Sequence, residues 1–327
     1  MNALSVTRAN HLLTVQDRGR LGAMRYGVSQ SGAMDWVRFS QAVALAGATA
    51  AFEVGVLGGA LRASGRVGVA VAAPGFSVTI APTSGEPRAL EAPTRLMLDD
   101  GDTLTLSPGA HGMWAYVAVA GIDFGPPVLG SHATNARTGL GAHAFDRPFP
   151  VAQTPPLTPF DAADIDLGGG PIGLLPGPQH HLFDETVHAQ MTKAPYRLTD
   201  QLDRMGYRLD GPPLTAQTHD IISDGIVLGA IQVPGNGQPI VLAADRAPTG
   251  GYPKIAVVAH ADLPRLTQMR PGSDVRFQWL TLAEAEQRRR AITAQLSAPP
   301  RPRVRSDFSS EYLASRNLID GVVAAAD

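Results

Sequence analysis

Short apolar runs broken by glycine and proline dominate this chain. From Ala51 onward AFEVGVL, ALRA, RVGVAVAA, SVTIA, TRLMLD, DTLTLS and MWAYVAVAG follow one another, punctuated by Asp100-Gly101 and Pro108-Gly109. Runs this short at this spacing predict antiparallel strands of a barrel or sandwich. Residues 4–7 and 12–15 read as a hairpin across Arg8-Ala9-Asn10. The first half carries one helical pattern: Met34, Val37, Gln41, Ala44 and Leu45 share a face. Ser31 is placed to cap that helix near Ala33 and Gly47 to stop it. Residues 126–159 lack periodicity and read as a long excursion.

The second half repeats the strand pattern after Gly168-Gly169-Gly170-Pro171, so the spacing predicts units at 1–168 and 169–297 and a linker and docking tail at 298–327. Short helices are expected at 182–191 and 262–269, a closing strand at 275–280 and a polar helix at 282–296. The stretch GAIQVPGNGQPIVLAADRAPTGGYPKI stands out. A tight turn, Pro234-Gly235-Asn236-Gly237, sits between apolar runs 230–233 and 239–244, which is the form of a hairpin. A polar loop and a further apolar run follow it. Gln232, Gln238, Asp245, Arg246, Thr249, Tyr252 and Lys254 thereby fall close together, and few of them suit a core.

Composition narrows the function. With 44% hydrophobic residues over 327 positions there is material for ordinary globular cores. A net charge of -2 offers no electrostatic footprint for nucleic acid or an anionic membrane. No cysteine is present, which removes disulfides, thiolate metal sites and cysteine nucleophiles. The longest apolar stretch, 67–80, is interrupted by Pro74, Gly75 and Ser77 and cannot span a bilayer. The N-terminal segment shows no secretory pattern, so a cytoplasmic location is expected. Lysine occurs only at Lys193 and Lys254, which draws attention to the second.

An internal repeat links the halves. Asp17-Arg18, Gly22, Arg25 and Gly27 resemble Asp203-Arg204, Gly206, Arg208 and Gly211, and Glu53-Val54 with Gly58 resembles Gln232-Val233 with Gly237. Two related polar loops could then meet at one cleft.

Six motifs carry a resemblance: VQDRGRLGAMRYGVSQSGAMD, AAFEVGVLGGALRASG, AYVAVAGIDFGPPVLGS, DRMGYRLDGPPL, DIISDGIVLGAIQVPGNGQPIVLAADR and TGGYPKIAVVAHADL. Over residues 12 to 290 the chain resembles the biotin-dependent carboxyltransferase family, also called allophanate hydrolase subunit 2, which includes the C component of 5-oxoprolinase and KipA-type regulators. The resemblance implies a mainly β fold of two cyclophilin-like barrel units in pseudo-repeat, with a few short helices. It also implies a B-type partner (allophanate hydrolase subunit 1 or KipI-like) and, for an oxoprolinase, a third subunit. The activity implied is ATP-dependent opening of 5-oxoproline to glutamate, with ATP and magnesium as co-substrate. Alternatives are regulation of a KipI-like kinase inhibitor, or carboxyl transfer from carboxybiotin. The tail SSEYLASRNLIDGVV is similar to those of stand-alone members and favours the oxoprolinase.

The chain departs from the family pattern in three places. Ala247-Pro248 stands where relatives usually have Gln-Thr, and Gly130-Ser131-His132-Ala133-Thr134 stands where they usually read Gly-Ser-Arg-Ser-Thr. After Leu140 the usual Gly-Gly…Gly-Arg pattern is lost in AHAFDRPFPVAQTPPL. The first change removes an amide and a hydroxyl from the loop most like a site.

Activating a lactam carbonyl by phosphorylation needs cations and N–H donors, yet no Walker-type motif exists here. The residues expected to do chemistry are Lys254, Arg204 and Glu53. Those expected to bind substrate or nucleotide are Arg18, Asp35, Ser223, Gln232, Gln238, Asp245, Thr249, Gly250, Gly251 and Tyr252, the 249–251 N–H groups forming an anion nest. Asp17-Arg18 and Asp203-Arg204 could equally be buried ion pairs. His180, His181, Asp184 and His188 have an acceptable ligand spacing, but a solvated helix carries such residues more often, so no metal is expected.

Overall fold

A computed structural model describes residues 2–141, 143–153 and 155–302. The architecture is mainly β. Strands preceding Gly168 form two six-stranded sheets and a group following it forms one eight-stranded sheet. One six-stranded sheet runs Phe149–Val151, Asn2–Arg8, Gly59–Ser64, Thr103–Pro108, Phe76–Ala81, Arg88–Leu90. The other runs Phe160–Asp161, Thr94–Leu98, Val67–Ala72, Trp114–Val119, Ala51–Gly55, Leu13–Gln16.

The second sheet is buried on both faces, and its composition shows how. Along Val67–Ala72 and Trp114–Val119 all residues are buried, so period two sorts side chains between two cores rather than between core and solvent. Val69, Val71 and Val117 pack with Leu4, Leu61 and Val78 of the first sheet. Ala70, Ala72 and Ala118 face the other way, packing with Phe39, Ala42 and Leu45 of helix α1 (Trp36–Ala46). Small side chains there let the helix lie close to the sheet. The same cluster continues into Ile172, Tyr196, Tyr207 and Ile255, so one core joins the two halves of the chain.

Helix α1 starts later than expected. Asp35, not Ser31, is its N-cap, accepting from the Val37 and Arg38 N–H groups at 3.0 Å each. Gly47 stops it at φ +67°, as its position predicts. Ser31 sits at φ +55° in the loop before the helix. The expected hairpin of residues 4–7 with 12–15 does not form. Asn2–Arg8 pairs with Gly59–Ser64 in one sheet, and Leu13–Gln16 pairs with Ala51–Gly55 in the other. Both runs are apolar enough for either arrangement, and the two-layer core draws them to opposite sheets.

The eight-stranded sheet contains the expected hairpin: Ala230–Gln232 pairs with Ile240–Leu242, and Lys254–Val258 flanks its other side. Helices α2 (Glu185–Lys193), α3 (Leu263–Thr267) and α4 (Leu282–Ser297) follow the expected positions, the last opened by a capping box between Thr281 and Glu284. The segment after α4 begins by turning back, since the Ala163 N–H donates to Arg301 O at 2.8 Å and Ala162 bridges Pro302. The tail motif lies outside the described residues. No helix among the described residues is long and apolar enough to cross a membrane.

Candidate functional site: a cleft beside a buried ion cluster

Three polar loops meet where the first-half sheets face the eight-stranded sheet. At their centre Glu53, fully buried on the Ala51–Gly55 strand, accepts from the Met34 N–H at 2.8 Å and the Tyr116 hydroxyl at 2.7 Å. Its other oxygen pairs with Arg204. Arg204 also forks onto Asp245 through Nε (2.9 Å) and Nη2 (3.1 Å), and donates to Gly32 O at 2.7 Å. Burial opposes the Arg204 charge, but Glu53 and Asp245 outweigh it and hold the guanidinium protonated above its ordinary range. Burial lifts the Glu53 carboxyl above its ordinary value, with Arg204, the Met34 N–H and the Tyr116 hydroxyl drawing it back.

Sequence adjacency misleads here. Neither Asp-Arg dipeptide expected to pair does so. Asp203 accepts the Met205 N–H at 2.7 Å, just as Asp17 accepts the Gly19 N–H at 2.7 Å. That shared turn is one part of the repeat the structure preserves, and the left-handed Gly58 and Gly237 are another. The arginines diverge, because Arg18 is exposed while Arg204 is buried.

A cleft of about 590 Å³ opens next to this cluster. Its walls include the turn at 200–206, Gln232, Arg246 and residues 249–252, and Arg137 reaches it from the long excursion of the first half. Of the expected binding residues the structure brings Gln232, Thr249, Gly250, Gly251 and Tyr252 to this cleft. Thr249–Gly250 forms an extended two-residue strand against Asp224–Gly225, and neither Gly250 nor Gly251 has a positive φ. Converging N–H groups need alternating backbone handedness, so the expected nest does not exist there. Gly250 matters for another reason: a Cβ would stand 2.8 Å from Ile226 Cδ1 and 2.9 Å from Gln232 Nε2.

Lys254 is fully buried behind Tyr252, with its Nζ 3.4 Å from the Tyr252 carbonyl. Burial pulls its amine below the ordinary lysine value, and Asp224 counters this. Ser223 is exposed beside Gly251. The remaining expected residues have structural engagements. Asp35 caps α1 and accepts from Gln268 Nε2 at 2.8 Å, and burial raises its carboxyl. Gln238 bonds both backbone groups of Gly211 at 3.2 Å each. Arg18 lies on an exposed loop away from the cleft lining. Among the described residues no group of three His, Cys, Asp or Glu is placed to hold a metal, and His188 is engaged with the His180 carbonyl at 3.0 Å.

The residue under-rated by sequence reasoning is Arg246. It is 4% exposed, lines the cleft and forms no ion pair among the described residues, because its neighbour Asp245 is engaged with Arg204. Burial pushes its guanidinium down to about 10, against the pull of Asp245, so it remains a cation at neutral pH.

The model of the family described as "Carboxyltransferase domain, subdomain A and B" matches residues 26–279. The chain is 36% identical over 297 residues to the C component of 5-oxoprolinase from Escherichia coli (strain K12), covering 86% of this chain and 93% of the relative. It is 31% identical over 287 residues to the same component of the Haemophilus influenzae 5-oxoprolinase, covering 85% and 91%. The crystal structure of the Kluyveromyces lactis urea carboxylase superposes with a TM-score of 0.81 at 25% identity, covering 90% of this chain and 29% of that one. Sheet architecture, motif order and a match to well over half of its length agree: the chain belongs to the carboxyltransferase-domain family.

Proposed function

We propose that this chain is the C component of an ATP-dependent 5-oxoprolinase, a cytoplasmic hydrolase that opens 5-oxoproline to glutamate when this chain acts with a B-type partner and a third subunit. The observation that carries this reading is the 36% identity to a 5-oxoprolinase C component along 93% of that relative's length. The cleft supports it in size and polarity, being large enough for a small cyclic amide and lined by side chains from several loops.

Opening the lactam requires its carbonyl to become a better electrophile, which transfer of a phosphoryl group from ATP to the amide oxygen supplies. Water then adds to the activated carbon, inorganic phosphate departs with the amide oxygen, and the C–N bond breaks with the nitrogen leaving protonated. For this chain the relevant groups are cations and donors around an oxyanion. Arg246, Arg137 and Arg208 line the cleft, and Gln232 adds an amide. Lys254 is not on the cleft wall, but its Nζ lies behind it against the carbonyl of the cleft-lining Tyr252. This amine, held below its ordinary value, is the group we assign to proton transfer near the leaving nitrogen. Glu53, Arg204 and Asp245 act from below by fixing the loops that carry these residues. A carboxyltransferase role draws support from the urea carboxylase likeness, and the same oxyanion-binding groups would then face the carboxylate of carboxybiotin.

The test is ATP hydrolysis by the three subunits purified together after co-expression, with and without 5-oxoproline. Stimulation by 5-oxoproline that disappears when this chain is omitted is the expected result. A stable complex without stimulation sinks the oxoprolinase reading, and turnover only with a biotinylated carrier favours carboxyl transfer. Within an active complex Lys254→Met should reduce kcat at least tenfold, an effect of about 1.4 kcal/mol on the barrier.

A further inference from the structure

Arg246 donates through Nε to Ile226 O at 3.0 Å and through Nη1 to Ala243 O at 3.4 Å. Its Nη2 reaches Gln30 Oε1 at 3.2 Å and Met24 Sδ at 3.5 Å. All four acceptors are neutral. A guanidinium carries five N–H groups, so these four contacts leave one on Nη1 without a partner among the described residues. The backbone at this position is also held from the first half of the chain, since Ser29 Oγ donates to the Arg246 carbonyl at 3.0 Å. The charge is therefore fixed in place but not neutralised.

Beside it, the Gln232 amide is 8% exposed and makes no side-chain hydrogen bond among the described residues. Ile226 connects the two: its carbonyl accepts from Arg246, and its Cδ1 and Gln232 Nε2 both lie within 3 Å of where a Cβ on Gly250 would stand. The carboxylates of the cleft, Asp200 and Asp203, sit on the wall at 200–206, Asp203 accepting from the Met205 and Gly206 N–H groups. Neither forms an ion pair with Arg246. Burying a cation without a counter-charge is unfavourable unless something outside the chain supplies one.

We infer that Arg246 and Gln232 together form the anchor for an oxyanion, a carboxylate or phosphate, of the small molecule that occupies the cleft. The loop bearing Met24, Ser29 and Gln30 is then part of the site without touching the ligand, because it sets where the guanidinium stands. The choice of 5-oxoproline and ATP as probes rests on the oxoprolinase reading; the anchor itself rests on the geometry.

The experiment is steady-state kinetics of the reconstituted complex carrying Arg246→Gln. Losing a charge-assisted hydrogen bond of about 1.5–3 kcal/mol raises KM by about 10–100-fold. If the oxyanion is the lactam's carboxylate, the KM for 5-oxoproline rises and that for ATP stays. If it is a phosphate, the pattern reverses. Both KM values within twofold of wild type overturn the anchor while leaving the oxoprolinase reading intact. If the wild-type complex does not turn over 5-oxoproline, that reading fails and the anchor is judged on the unmodified chain. Its thermal midpoint should then rise with 5-oxoproline or with inorganic phosphate, but not with the neutral carboxamide of 5-oxoproline. No rise with either anion overturns the anchor, and this arm does not depend on any variant folding.

Discussion

Arg204 and Arg246 are both buried, both from the second half of the chain, and both beside the same carboxylate, yet their surroundings differ in kind. Arg204 forks onto Asp245, pairs with Glu53 and donates to Gly32 O, joining the two halves of the chain. Arg246 has carbonyls, an amide and a thioether. One guanidinium is neutralised from within and the other is not. Burial alone therefore does not mark a functional arginine; the presence or absence of an internal counter-charge does.

The comparison can be broken most severely at Arg204. Arg204→Met leaves two carboxylates buried without their cation, and the resulting loss should shrink on acidification. The sign follows from Glu53, whose folded value is already held above its ordinary one by burial and rises further without Arg204. Below that folded value the proton is on and the buried charge is gone; the stability contributed by protonation is lost as pH rises through it. Urea unfolding at pH 5 and pH 7 should thus show a smaller difference from wild type at pH 5. A constant difference would mean that Glu53 does not carry the loss.

Glu53→Gln keeps the acceptor for Met34 and Tyr116 but removes the charge facing Arg204, and should cost about 1.5–3 kcal/mol by the same unfolding measurement. Lys254→Met sharpens the comparison from the other side. The amine is buried without an ion-pair partner among the described residues, so its removal should leave stability within about 1 kcal/mol of wild type or raise it. A larger loss would give Lys254 the structural role we deny it. The smallest effect belongs to Gly250→Ala. The added Cβ must displace both Ile226 Cδ1 and the Gln232 amide, two side-chain ends, so KM should rise severalfold in the active complex while the unfolding midpoint falls only slightly.

What the sequence made legible was local. The hairpin Ala230–Gln232 with Ile240–Leu242 is specified by its turn and its flanking apolar runs, and it forms. The Gly47 helix stop is equally local, and it forms. Expectations failed where a distant partner decides. Residues 12–15 have the alternation of a hairpin arm, but the two-sheet core assigns them to the Ala51–Gly55 strand. Ser31 has the chemistry of a cap, but Asp35 takes the position with its carboxylate fixed by Gln268 from far along the chain. Glu53 and Arg204 were legible as residues worth singling out, whereas their mutual pairing across 151 positions was not.

The same limit explains Arg246. Its neighbour in sequence, Asp245, offers an obvious partner, and only the fold reveals that this carboxylate turns to Arg204 instead. Gln232, Thr249, Gly250, Gly251 and Tyr252 reach the same cleft because one short stretch of chain holds them all. Arg137 was hidden in an excursion whose lack of periodicity gave no reason to place it at the cleft.

The most direct measurement is urea unfolding of Arg204→Met and Arg246→Met side by side at pH 7. Loss of the buried ion cluster should cost about 3–5 kcal/mol for the first, whereas loss of hydrogen bonds to neutral groups should cost about 1–2 kcal/mol for the second. Equal losses, or a larger loss at Arg246, would contradict the claim that one arginine is neutralised within the fold and the other waits for a ligand.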